Sequence, residues 1–143
     1  MKFEVDCNID IPRNLAKVEN ETFWLFGASE YHRLMVPYIP YKTGTTAETV
    51  QISGEPMCGI IDFLSPQSHF LWEGKLMVDP NTGSSWAKKD VKKVYTNIPL
   101  DFSNQNHPKA TDHWNEVANE TQLPKLIDAM QDYIDMGGLN LNG

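Results

Sequence analysis

Hydrophobic and polar positions change period twice along this chain. Over residues 1–11, Phe3, Val5, Cys7 and Ile9 alternate with Lys2, Glu4, Asp6 and Asn8, the two-residue period of a strand. From Pro12 the spacing becomes three and four. Ile11, Leu15, Val18, Thr22, Leu25, Ser29, His32 and Val36 share one stripe, which Phe23, Trp24, Phe26, Leu34 and Met35 widen. This predicts an amphipathic helix of about six turns, with Pro12 in the first turn, where its missing N–H is no loss, and Gly27 as a tolerated weak point. Pro37 is expected to stop it, because proline disfavours the helical region for the residue before it and donates no amide hydrogen. Pro37-Tyr38-Ile39-Pro40-Tyr41 then reads as an extended, polyproline-like ribbon with Tyr38 and Tyr41 on one face. Lys42-Thr43-Gly44 turns the chain, and Gly44 is free to take a positive φ.

Beyond this elbow, short β patterns at 46–53, 57–64, 70–78 and, more weakly, 91–98 are separated by turn sequences at 53–56, 65–66 and 79–83, the last of which, DPNTG, is the strongest. The stretch 65–72 also fits a helical turn, since Gln67, Ser68 and His69 have little strand preference. Helical character returns at His107, with Pro108 in a first-turn position and Ala110, Trp114, Val117 and Thr121 on one face. Pro124 is expected to break or kink this helix. Leu123, Leu126, Ile127, Met130, Tyr133 and Ile134 carry helical spacing on to about Asp135. The chain therefore reads as α+β, an antiparallel sheet with hairpins flanked by a long N-terminal helix and a C-terminal helix. One domain spans 1–136 and a flexible tail follows at 137–143.

Composition narrows the class. The chain has 143 residues, 41% of them hydrophobic, and no apolar run approaches the roughly 18 residues of a membrane span. Acids within the first ten residues argue against a secretory leader, which places synthesis in a cytosol. Cys7 and Cys58, without a CxxC or a histidine cluster, read as reduced thiols. A formal net charge of −7 argues against a nucleic-acid platform over the whole surface. The exception is local: Lys88, Lys89, Lys92 and Lys93 against Asp90 make +3, so the remaining chain carries −10. The plain reading of such a run is a solvated face. The sharper one is contact with an acidic neighbour, such as the acidic remainder of a second copy.

Chemistry is thinly represented. His32 lies on the apolar stripe and reads as a core-edge histidine, while His107 and His113, six residues apart, do not share a helix face as paired ligands would. No GxSxG, GxxxxGK[ST], HExxH or GxGxxG occurs, so no catalytic residue, metal or cofactor is expected. Trp72 has an ordinary core reading. Trp86, beside the lysine run at the edge of a turn, is harder to bury in one small domain and suits a protein interface.

The ordered set PYIPYKTGT, SPQSHFLWEGKLMVDPNTGSSWAKK and HPKATDHWNEVANE resembles the small minor capsid proteins of tailed bacteriophages, especially of siphophages and prophages in Gram-positive bacteria. More broadly it is similar to neck and tail-completion proteins. The likeness covers about residues 15–134. It follows a Pro-aromatic-Val-Pro-aromatic-Asp-Thr-Gly pattern at Pro37, Tyr38, Ile39, Pro40, Tyr41, Thr43 and Gly44, and departs from it at Lys42, where an aspartate is usual. The resemblance implies a virion structural protein in the neck, assembled in the host cytoplasm. Its partners would be other copies of itself in a ring, the connector or head-closure protein, and tail proteins, with DNA only passing through the channel. Interface candidates are Tyr38, Tyr41, Lys42, Trp86, Lys88, Lys89, Lys92 and Lys93. A tail-terminator role fits the same class. A peptide- or ligand-binding domain around Tyr38, Tyr41 and Trp72, and an enzyme using His69 or His113 with a nearby carboxylate, are the other readings.

Overall fold

A computed structural model describes residues 1–5, 11–40, 45–102 and 107–136. The chain is α+β. In order it forms β1 (Lys2–Glu4), α1 (Arg13–Ala16), α2 (Glu21–Met35), a 3-10 turn (Val36–Tyr38), α3 (Thr45–Glu48), β2 (Val50–Glu55) and β3 (Cys58–Phe63). These are followed by α4 (Ser68–Glu73), β4 (Lys75–Val78), β5 (Val94–Pro99) and α5 (Trp114–Asp135). The strands make two antiparallel units, a sheet in the order β1-β3-β2 and a separate ribbon of β4 and β5.

The core lies where α2 is sandwiched between the three-stranded sheet and α5. Phe63 on β3 is met edge-on by Phe3 from β1 at 5.6 Å and by Trp114 from α5 at 5.7 Å. Trp24, Phe23, Ala28, Leu126 and Met130 fill the remaining space without exposure. The helix sits unusually near the β2–β3 hairpin. Gly54 and Gly59 face each other in register, and a Cβ at Gly54 would stand 2.1 Å from the Glu21 carbonyl oxygen, one at Gly59 2.6 Å from that of Trp24. The backbone of α2 thus rests on a two-glycine window, which any side chain would close.

Several sequence expectations are corrected here. The first helix is two pieces, not one of six turns. Asn20 accepts a bond from the Phe23 amide at 3.1 Å and caps α2, while the Trp24 indole donates back to the Val18 carbonyl, holding 17–20 as a turn. Thr22, Leu25 and Ser29 are exposed. The buried face is Phe23, Trp24, Gly27, Ala28, Tyr31, Leu34 and Met35, turned from the predicted stripe because α2 is covered on two sides. The elbow is not an extended ribbon at its start. Val36–Tyr38 is a 3-10 turn closed by the Ile39 amide on the Val36 carbonyl, and Ile39 after it is extended. Proline's fixed φ suits either conformation, and burial of Tyr38 and Ile39 selects the tighter one. The predicted strand 70–78 splits into α4 and β4 at Gly74, whose φ of 68° ends the helix. The pattern at 46–53 opens as α3, and β1 ends at Glu4. The last helix starts at Trp114, not His107, and passes through Pro124 unbroken, with that proline on its exposed side. Tyr41, Lys42, the turn at Gly44, Cys7 and the predicted tail 137–143 lie outside the described residues.

Candidate functional site

The β4–β5 ribbon forms an arm apart from the core: among the described residues no helix or strand packs broadly against it, and none of its side chains joins the core cluster. Its outer turn is built by Asp79, a buried carboxylate that accepts from the Asn81 amide at 2.7 Å. The Asp79 carbonyl takes the Gly83 amide at 2.9 Å, and its amide donates to the Ser84 carbonyl. Gly83 adopts φ 72°, which a glycine provides without strain. Beyond this turn Trp86 is 85% exposed. Lys88, Lys89 and Lys92 are exposed around it and Lys93 is half-buried.

The arm carries more apolar surface than its sequence suggested. Val94, Tyr95 and Ile98 on β5 are 46%, 40% and 56% exposed. The ladder is irregular: Lys75 pairs with Pro99 and Met77 with Tyr95, so two steps on β4 span four on β5. Thr96 fills that bulge, donating to the Leu76 carbonyl at 2.8 Å and accepting from the Ile98 amide. Strand alternation alone could not reveal this, since apolar residues in a two-stranded ribbon have one neighbour where a sheet supplies two faces.

The root of the arm is fixed to the start of α5. The Trp72 carbonyl accepts from the His113 amide at 2.9 Å, and the Trp72 indole donates to Asn115 Oδ1 at 2.7 Å. The His113 ring lies 4.0 Å from the Trp72 ring. A Cβ at Gly74 would stand 2.4 Å from the Asp112 side chain, and the Leu100 amide closes the base by bonding the Gly74 carbonyl. None of these partners is close in sequence, so this junction was not legible from spacing.

The other predicted residues are placed elsewhere. Tyr38 has its ring in the core, and its hydroxyl reaches Thr121 and Gln122, both at 3.1 Å. The bond to Thr121 leads in holding that hydroxyl below its ordinary pKa. The Tyr38 ring is therefore engaged within the single chain. Tyr38 lines a cavity of about 260 Å³ with Lys109 and Lys125, whereas Trp72 lines a different one of about 380 Å³ with His69 and Glu116. His69 lies 3.3 Å from Glu73 and His113 2.9 Å from Asp112, but His113 is not among the walls of the cavity that His69 lines. His32 bonds the Ala47 carbonyl at 2.9 Å, and burial pushes its pKa down.

A third cavity, of about 430 Å³, opens between α2 and α5. Phe26 and Tyr133 stack at its floor with ring centres 4.5 Å apart, and Glu30, Asp132 and Met136 stand at its edges. Among the described residues no helix is long and apolar enough to cross a membrane. Compared with known protein families, characterised proteins and solved structures, the chain matches none of them.

Proposed function

We propose that this chain is a structural protein of a tailed-phage virion, a minor-capsid or neck subunit that works as a member of a ring at the head–tail junction. One observation carries the reading: the segment joining the two strands of the ribbon presents Trp86 at 85% exposure beside exposed lysines, and Val94 and Ile98 of the same ribbon are exposed as well. Tryptophan is among the residue types enriched as interface anchors, and its near-complete exposure here beside a basic run is what an anchor awaiting a partner looks like. The ordered motif resemblance supplies the class, and the acidic remainder of the chain supplies a surface for a basic arm to meet. In this reading the partners are further copies of the chain, the connector or head-closure protein, and tail proteins. The site of action is the virion neck, reached through assembly in the host cytoplasm.

Size-exclusion chromatography with light scattering tests it, on the protein alone and mixed with the portal and head-closure proteins encoded beside its gene. A ring, or a monomer that joins those proteins, is the expected result. A monomer indifferent to every one of them overturns the proposal.

A further inference from the structure

Resting on that assembly reading, we infer that the arm's acceptor is the groove between α2 and α5 on a second copy of the same chain. The groove and the arm tip are chemical complements. Its floor is the Phe26–Tyr133 stack, with the 85% exposed Met136 at the mouth, an apolar bed for one indole. Its rim is acidic. Asp132 borders the cavity, and Asp128 and Asp135 stand one helical turn to either side of it on the same face of α5. All three are exposed, opposite in sign to Lys88, Lys89 and Lys92 around Trp86. Glu30 is already held by Arg33 at 2.7 Å, so the α5 aspartates carry the charge match. Donor and acceptor are distinct patches, so each copy can give an arm to the next and receive one from the copy before; such a head-to-tail contact closes into a ring if the rotation per copy divides a full turn without a rise.

Three variants and a cross-linking map test this on the full chain. Trp86→Ala should weaken self-association roughly thirtyfold, as truncation of a buried tryptophan anchor does. The Asp128→Lys, Asp132→Lys double variant should weaken it comparably and remove its salt dependence. All the replaced groups are exposed, so the unfolding midpoints should stay unchanged and show the variants folded. The two defective proteins mixed together should recover association, because one retains a good groove and the other a good arm, whereas each alone does not. A zero-length carbodiimide cross-link between isotope-labelled and unlabelled copies should join Lys88, Lys89 or Lys92 to Asp128, Asp132 or Asp135. Cross-links between other surfaces, failure of the mixture to recover, or a wild-type chain that stays monomeric at millimolar concentration each overturn the contact. Deleting residues 137–143 should leave association unchanged; if deletion creates association that the full chain lacks, that segment fills the groove and the inference fails. A chain that still joins the portal or head-closure protein after such a failure keeps the neck reading. A chain that assembles through arm and groove yet ignores those proteins keeps the contact and loses the neck reading.

Discussion

Gly54→Ala is the sharpest test of how this fold is packed. The added Cβ would stand 2.1 Å from the Glu21 carbonyl oxygen and 2.7 Å from the Leu25 amide nitrogen, both backbone atoms of α2 that cannot rotate aside. Relief requires the helix to lift from the β2–β3 hairpin by about 1 Å, and a gap of that size forfeits a quarter to a half of each van der Waals contact across it. Burial of a large side chain is worth about 1.5–3 kcal/mol, and Trp24 and Phe23 both lie fully buried on the helix that must move. Adding the strain of overpacking, we expect a loss of about 3 kcal/mol, or a melting temperature lower by about 10 °C for a chain of this size. Urea unfolding followed by tryptophan fluorescence measures it. Gly83→Ala is the control: nothing lies within 4 Å of its Cβ, and only its φ of 72° should cost about 1 kcal/mol. Since one lift relieves both clashes, Gly54→Ala with Gly59→Ala should cost less than the two single losses added. If Gly54→Ala loses no more stability than Gly83→Ala, the two-glycine window does not set the helix–sheet distance and the reasoning is wrong.

Other outcomes follow from single residues. Pro124→Ala should stabilise the protein by about 1–2 kcal/mol in the same assay, because a proline on the exposed side of an unbroken helix forfeits one backbone bond; a loss would mean that the ring packs against something. Ser68→Ala should be neutral or stabilising by up to about 1 kcal/mol, since its hydroxyl is buried without a hydrogen-bond partner among the described residues; a clear loss would reveal a partner. His32 has its pKa lowered from 6.5 by burial, so between its folded value and 6.5 the unfolded chain binds more protons than the folded one. Its contribution is therefore complete above pH 6.5 and is lost as pH falls through that window. Denaturation midpoints measured from pH 7.5 downward should show His32→Gln with a shallower decline than wild type; parallel curves would refute the assignment.

The sequence carried the class of fold because its two strongest signals, a period of three to four before Pro37 and again near the C-terminus, come from helices that meet the core on one side or two. It misread α2's orientation for the same physical reason. A helix covered by both a hairpin and α5 buries small residues as well as large ones, so Gly27 and Ala28 belong to the contact face while Leu25, hydrophobic but outward, does not. Gly27 in particular is a seat for Met130, whose terminal methyl would be 2.9 Å from an added Cβ, and not the weak point that propensity suggests. Pro124 failed as a stop signal because tertiary contacts through Leu126 and Met130 hold the helix across it. Of the candidate site, Trp86 and its lysines were legible, since the indole stands two residues before the lysine run that begins at Lys88. The acceptor was not, because Phe26 and Tyr133 lie far apart in sequence and become a stack only when α2 and α5 pack.

That last contact gives α5 a role beyond packing. Its first turn, through Asn115 and the preceding His113, clamps the root of the arm, and its last two turns, through Ala129, Asp132 and Tyr133, form one wall of the groove. At about 1.5 Å per residue, the stretch of this helix from Asn115 to Asp132 separates donor root from acceptor by about 25 Å along one element. If the arm of each copy seats in the groove of the next, this helix fixes the distance from arm root to groove, and the 79–93 segment that carries Trp86 sets the rest of the offset between copies. Such an arrangement also separates two demands on the sequence. The glycine window and the aromatic core fix the monomer, while the arm tip and the acidic face, exposed in the single chain, remain free to answer only to the neighbour.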